Sequence, residues 1–313
     1  MNIVVLDSIT LNEVQLNRLN SLGQLTSYNE SAQTDLEIIE RCQNADIILT
    51  GWTNFSEELL RELQNVKLIS LWSTGHDQID LEVARACGIA VTNVRGYAQN
   101  AVAELAFGLM LDVLRKISLA DRAVRFDDAY DWHPFGGKEL TDKTIGIIGF
   151  GAIGQKVAKI AHGFDMRVLA HSPNIDVSLT DQLKVSSVSL DYLLNESDVV
   201  TLHLPLLPET TELISKEALK QMKSTSILIN TSRGGLVDQE ALCNALDNQE
   251  LAGAGLDDIL IERESMKRLK RLSSVVMTPH IGFNTAEAIV LKSDSCIENV
   301  ERYLKGRPIN VLT

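Results

Sequence analysis

The sequence holds no run of about eighteen apolar residues, so no segment is long enough to cross a bilayer as a helix. Its first residues, MNIVVLDSIT, lack the basic n-region and extended apolar stretch of a secretion signal and read instead as a first strand. Cysteine is scarce. Cys42, Cys87, Cys243 and Cys296 lie far apart and form no C-x-x-C pair, which disfavours a disulfide framework or a structural zinc site. Free thiols in a cytoplasmic protein are the expectation. Basic charge is in deficit, with 29 Lys and Arg against 42 Asp and Glu, a net charge of -13. A surface that acidic has no dominant basic patch, which argues against nucleic acid as a partner. Repeats of fixed period, low-complexity tracts and Pro- or Gly-rich linkers are also missing, so composition alone leaves the domain boundary open.

What is present is enough for two domains, each with its own core: 313 residues, 45% hydrophobic and 23% charged. Short apolar runs alternate with helical patterns. NIVVLD, DIILTG, KLISLW and GIAVTN form one series of predicted strands, and TIGIIG, MRVLAH, DVVTLH, SILINT and LAGAGLD form a second. Strand–helix alternation implies parallel sheets with helices on both faces, and two series imply two such α/β units. Two longer helices are predicted over about 98–117 and 285–304; the first carries Val102, Leu105, Leu109 and Val113 on one stripe, the second Ile289, Ile297 and Val300.

TIGIIGFGAIGQKVAKIA contains Gly149-x-Gly151-x-x-Gly154. The pattern is weak alone, but here it follows an apolar strand and opens a helix, the context of a dinucleotide-binding turn. The glycines permit a tight turn and close backbone approach, and the amides at the helix start hold a pyrophosphate. The next strand, MRVLAHSPN, should end in Asp or Glu to grip the ribose of NAD; it ends in His171, Ser172 and Pro173, with no arginine to suggest NADP. Asp176 substitutes only if the loop folds back. Preference between NAD and NADP stays open, with NAD favoured.

SILINTSRGG places a guanidinium, Arg233, just beyond a buried strand, followed by Gly234 and Gly235. Ligands of such sheets bind beyond the carboxyl ends of the strands, and a guanidinium fork matches a carboxylate. GAGLDDILIERE ends another strand in acids, and VVMTPHIGFN brings His280 to the end of a further apolar run. Alone, Arg233 reads as a strand cap, Glu262 as a solvated charge and His280 as a core histidine. Together, downstream of one phosphate cradle, they point to catalysis.

These residues resemble the D-isomer-specific 2-hydroxyacid dehydrogenase family over nearly the whole chain. The matching motifs are GFGAIG, LHLPLLPETTELI, INTSRGGLVD, GAGLD and TPHIG, in the family's order, with Glu262 following Arg233 by 29 residues. STGHDQID is similar to the family's substrate-carboxylate loop, and NVRGYAQNAVAELAFGLML to its first crossover and dimer helix. The resemblance implies a Rossmann coenzyme domain, residues 96–284, inserted into a flavodoxin-like substrate domain of residues 1–95 plus 285–313, with a cleft that closes over the substrate. It implies a homodimer that interconverts small 2-oxo acids (hydroxypyruvate, glyoxylate or pyruvate) and D-2-hydroxy acids with NAD or NADP.

By the same resemblance, Arg233 orients the 2-oxo acid, His280 donates the proton and Glu262, in contact with His280, favours the imidazolium. Amides of Thr74 and Gly75 hold the carboxylate. Gly149, Gly151, Ala152, Ile153, Gly154, Ser172, His203, Thr231, Asp257 and Gly282 form the cofactor set, with Asp257 on the nicotinamide carboxamide. His203 could equally be a core histidine, and Asp257 a strand-end cap. Arg263 stands where the family has proline and Leu260 where an acid is common, in a basic stretch that reads as helical; Trp52 and Trp72 are core residues or walls favouring small substrates. A nucleotide-sensing interaction protein on the same scaffold is the competing reading, and a phosphoglycerate dehydrogenase without a regulatory domain a weaker third. No metal is expected.

Overall fold

Short buried runs of β-branched and aliphatic residues build two sheets, and in each of them every strand pairing is parallel. The computed structural model describes residues 1–173, 175–262 and 264–313, with Val177 described by its backbone alone. Arg263, singled out above, therefore lies outside the described residues. Two compact units divide the chain: Met1–Ala98 with Asn284–Thr313, and Gln99–Phe283.

In the first unit, β1 (Asn2–Val5), β2 (Gln24–Ser27), β3 (Ile47–Thr50), β4 (Leu68–Leu71) and β5 (Ala90–Thr92) lie in the order β2-β1-β3-β4-β5. This is the flavodoxin-like doubly wound order. Alternation decides the two faces. Ile3, Val5, Ile47, Leu49 and Leu68 pack on Cys296, Ile297 and Val300 of the helix Ala286–Leu304. Val4, Leu6, Ile48, Ile69 and Leu71 pack on Ile38, Leu59 and Leu60 of the helices Asp35–Cys42 and Glu57–Glu62. Each such side chain contributes roughly 1.5–3 kcal/mol by leaving water.

Two polar devices finish this unit. Asp7, fully buried just past β1, accepts hydrogen bonds from Thr50 Oγ1, the amides of Gly51, Trp52 and Thr53, and Thr53 Oγ1, at 2.6–3.1 Å. The segment 310–313 runs beside β5: Leu312 N donates to Val91 O at 2.8 Å, Val91 N to Thr313 Oγ1 at 3.1 Å and Asn93 N to Asn310 O at 3.2 Å.

The second unit holds β6 (Thr144–Ile148), β7 (Arg167–His171), β8 (Ser186–Ser187), β9 (Val199–Leu202), β10 (Ile227–Asn230), β11 (Gly253–Leu256) and β12 (Val275–Met277), in the order β12-β11-β10-β9-β6-β7-β8. This is the Rossmann order with one strand added beyond β11, and it reverses at the β6/β9 junction. Ile145, Ile147, Val199, Ile227 and Ile229 face the helix Gln99–Arg115; Ile148, Val200, Leu202 and Leu228 face the opposite layer.

Four elements differ from the sequence expectation. The edge strands β2 and β8 have no apolar run to announce them, because their residues are mostly exposed. The long helix predicted to Ile117 ends at Arg115: Lys116 takes a left-handed φ of 54°, and a new helix, Ile117–Phe126, begins. Asp112 anchors that start by accepting from Ser118 N at 2.8 Å and from Ser118 Oγ. Among the described residues of the basic stretch after Glu262, Ser265–Leu269 is the helical part, and Ser265 and Leu269 are buried.

Candidate active site

The predicted cradle, Ser172, His203, Thr231, Arg233, Asp257 and His280 all follow the carboxyl ends of strands of the second unit. β6 ends in Gly149, whose φ of 93° suits glycine alone and where a Cβ would lie 2.3 Å from His203 O. The turn thus presses onto the end of β9 where the strand order reverses. Gly151 then caps the twelve-residue helix Ala152–Gly163 with no side-chain hydrogen bond. The first-turn amides, Ala152 and Ile153 among them, keep the partial positive charge of a helix start. Buried Gly154 closes the motif.

Further along the edge, two predicted cofactor residues carry buried polar atoms without a hydrogen-bond partner among the described residues: His203 Nδ1 and Thr231 Oγ1. His203 Nε2 pairs with Thr201 Oγ1 at 2.9 Å, and burial pushes the imidazole pKa down to about 3, so the ring is neutral. An orphaned buried polar atom costs about 1–3 kcal/mol. Two of them at the ends of β9 and β10, beside a glycine cradle, fit a dinucleotide that supplies the missing partners. Ser172, half-buried, follows β7, and Asp176 is occupied as the cap of the helix Val177–Gln182, accepting from Ser178 N and Oγ.

β10, β11 and β12, neighbours in the sheet, lead into Arg233, Asp258 and His280, the candidate reactive groups. Arg233 is half-buried; its Nη1 donates to Ser232 O at 3.1 Å, and its carbonyl accepts from Asn230 Nδ2 at 2.8 Å. A Cβ on Gly234 would meet the backbone of Asp258, Ile259 and Leu260 at 3.2–3.3 Å, so the glycine lets the arginine turn lie against the segment that follows β11. That segment is held by buried Gln239, whose side chain donates to Leu260 O and Ser265 Oγ and accepts from Leu260 N.

His280 Nδ1 stands 3.3 Å from Asp258 Oδ2. The contact assigned to Glu262 from the sequence is thus made by Asp258; Glu262 itself is exposed, at a turn. The reason is the Gln239 staple, which fixes the chain immediately after Asp258. Asp257, 2% exposed, accepts from Thr278 Oγ1, Ile281 N and Gly282 N at 2.6–2.8 Å and so builds the turn that carries the histidine. His280 takes a left-handed φ of 54° within it, a conformation that the surrounding bonds must hold.

Thr74 and Gly75 belong to the first unit, beyond β4. Thr74 Oγ1 donates to Val94 O at 2.7 Å, and Thr74 O accepts from Asn93 Nδ2 at 2.8 Å. Asn299 Nδ2 in turn donates to Asn93 O, so the terminal helix underpins the loop. Sequence reasoning missed Asp258, although the doubled acid of GAGLDD was a signal.

With this geometry in place, comparison with known proteins is informative. Residues 107–282 match the family described as D-isomer specific 2-hydroxyacid dehydrogenase, NAD binding domain. The chain is 38% identical over 291 residues to a glycerate dehydrogenase of Methylorubrum extorquens, covering 90% of each. It is 34% identical to a hydroxypyruvate reductase of Blautia hydrogenotrophica, covering 100% of this chain and 99% of the other. Among solved structures, an acyclic imino acid reductase in complex with NADPH and D-Arg is similar over the full length of both chains, with a TM-score of 0.90 at 33% identity.

Proposed function

Since the chain belongs to the D-isomer specific 2-hydroxyacid dehydrogenase family, we propose that it interconverts a small 2-oxo acid, of the hydroxypyruvate, glyoxylate or pyruvate type, with the D-2-hydroxy acid. The bound nicotinamide, of NAD or NADP, supplies or accepts the hydride. The observation that carries the reading is the succession of groups along one sheet edge: cradle, orphaned His203 and Thr231 atoms, Arg233, then the His280–Asp258 pair.

The chain's own work is electrostatic. Gly149, Gly151, Ala152, Ile153 and Gly154 hold the pyrophosphate, and Ser172, His203, Thr231 and Gly282 complete the cofactor contacts. Asp257 acts through the turn it builds. Arg233 orients the oxo acid and draws electron density from its carbonyl, while Thr74 and Gly75 hold the carboxylate through their amides. His280 Nε2 donates the proton as the alcohol forms, and Asp258 at Nδ1 orients the ring. Glu262 is retained as a second acid able to serve this ring when the loop rearranges.

The Ile117–Phe126 helix buries none of its residues, and Ile117, Val124, Phe126, Tyr130 and Trp132 expose large apolar surface. A second copy of this chain is the proposed cover. A cytoplasmic location accords with four free cysteines. Among the described residues no helix is long and apolar enough to cross a membrane.

The test is oxidation of NADH and of NADPH with a panel of 2-oxo acids. Turnover of glyoxylate, hydroxypyruvate or pyruvate to the D-product is expected. Turnover of none of them, with cofactor bound, overturns the reading.

A further inference from the structure

Gln239 opens the helix Gln239–Asp247, is 3% exposed, and directs its side-chain amide at the segment after β11. Its Oε1 accepts from Leu260 N at 3.0 Å, and its Nε2 donates to Leu260 O at 3.2 Å and to Ser265 Oγ at 3.0 Å. A carboxamide has one acceptor oxygen and two N–H donors, so acceptor and donors alike are engaged there. One helical turn later, on the same face, Cys243 Sγ donates to Ser265 O at 3.5 Å. The helix start is itself fixed. Asp238 caps it by accepting from Ala241 N at 3.0 Å, and its own amide donates to Ile214 O.

The same short stretch carries Arg233. Gly234 lies against the backbone of Asp258, Ile259 and Leu260, and Gln239 binds Leu260, so residues 233–239 touch the segment after β11 at two points. The histidine has an anchor of its own: His280 N donates to Asp257 O at 2.7 Å, and the Asp257 carboxylate holds Thr278, Ile281 and Gly282. Asp258, 3.3 Å from His280 Nδ1, precedes Leu260 by only two residues, so a displacement of Leu260 reaches it.

We propose that Gln239 is a positioning residue of the reductase: it fixes the backbone beside Asp258, so that this carboxylate meets His280 and the imidazole keeps its place relative to Arg233. The inference rests on the reductase reading above and adds to it a residue that acts through Asp258. A reacting geometry displaced by about 1 Å can cost about 100-fold in rate, so a backbone anchor this near the pair has kinetic consequences.

The experiment measures oxidation of the reduced cofactor in a single turnover, with whichever of glyoxylate, hydroxypyruvate or pyruvate the wild type reduces best. Gln239→Met keeps the length of the side chain and removes its hydrogen bonds, and should slow that step about tenfold. Cofactor Kd, read from tryptophan fluorescence, should stay within about twofold, since the cradle after β6 is untouched. In the Asp258→Asn background the same substitution should change the rate by less than about twofold, because nothing is left to position. A merely structural residue would lower the thermal midpoint with the rate per folded molecule unchanged, or slow both backgrounds equally. Should Gln239→Met not fold, Gln239→Glu carries the same test. It accepts from Leu260 N but sets a carboxylate against the Leu260 carbonyl, so the rate should again fall in the wild-type background and not beside Asp258→Asn. A rate within about twofold of wild type, or an equal loss in both backgrounds, overturns this inference alone. Turnover of no 2-oxo acid by the wild type overturns the reductase reading beneath it.

Discussion

At the scale of single residues, the two acids near His280 separate by geometry. Asp258 is at 3.3 Å from Nδ1, so Asp258→Asn should lower kcat by roughly 10- to 100-fold, while Glu262→Gln should cost severalfold at most. Steady-state kinetics of both variants decide the matter, and the reverse ranking would return the role to Glu262. His203 gives a stability prediction. Its folded pKa, about 3, lies below the ordinary 6.5, so the unfolded chain takes up the proton first as pH falls. The stability is complete above pH 6.5 and is lost progressively from there towards pH 3. About 2 kcal/mol should disappear between about pH 7.5 and 5, measured as a shift in urea midpoint, and His203→Gln should flatten that slope. Bound cofactor, by supplying Nδ1 with a partner, should raise the midpoint of the wild type.

At the scale of elements, Asp7 joins the end of β1 to the loop after β3. Burial alone would raise its carboxyl, but Thr50, Trp52, Gly51 and Thr53 donate to it and bring the pKa below the ordinary value of 3.8. Asp7→Asn would replace five charge-assisted hydrogen bonds with neutral ones and force the Thr53 hydroxyl to turn from donor to acceptor, and should destabilise the unit by about 2–4 kcal/mol at neutral pH. Since the folded carboxyl is the stronger acid, the wild type's advantage holds above pH 3.8 and shrinks below it. Denaturation of both proteins at neutral pH and near pH 3 tests the pair of claims; an unchanged midpoint at neutral pH refutes them. The strands and the glycine cradle were legible because a parallel strand buried on both faces is an uninterrupted apolar run. β2 and β8 were not, since exposed edge strands lack that run. Nor was the break at Lys116, which depends on Asp112 reaching across the helix junction. The His280–Asp258 pairing was hidden for a similar reason: Gln239, 21 residues before Leu260, sets the loop's path.

At the scale of the whole molecule, the apolar side of the Ile117–Phe126 helix, with Tyr130 and Trp132 beyond it, predicts association. Light scattering should give a dimer mass for the wild type, and Phe126→Asp with Trp132→Asp should give the monomer with its thermal transition retained. A monomeric wild type refutes the proposed cover. The two crossings of the chain, near Ala98 and Asn284, carry no compositional mark, so composition alone does not show the division into two units.

The segment 310–313 has a practical corollary for anyone expressing this protein. It functions as an extra rung on the rim of the first sheet, and Asn310 also reaches Asn299, which braces Asn93 and through it the Thr74 backbone. Cutting the chain back before Asn310 would remove the brace behind the Thr74 backbone, and under the proposed function such a protein should fold yet bind its acid more weakly. An affinity handle is therefore better placed ahead of Met1.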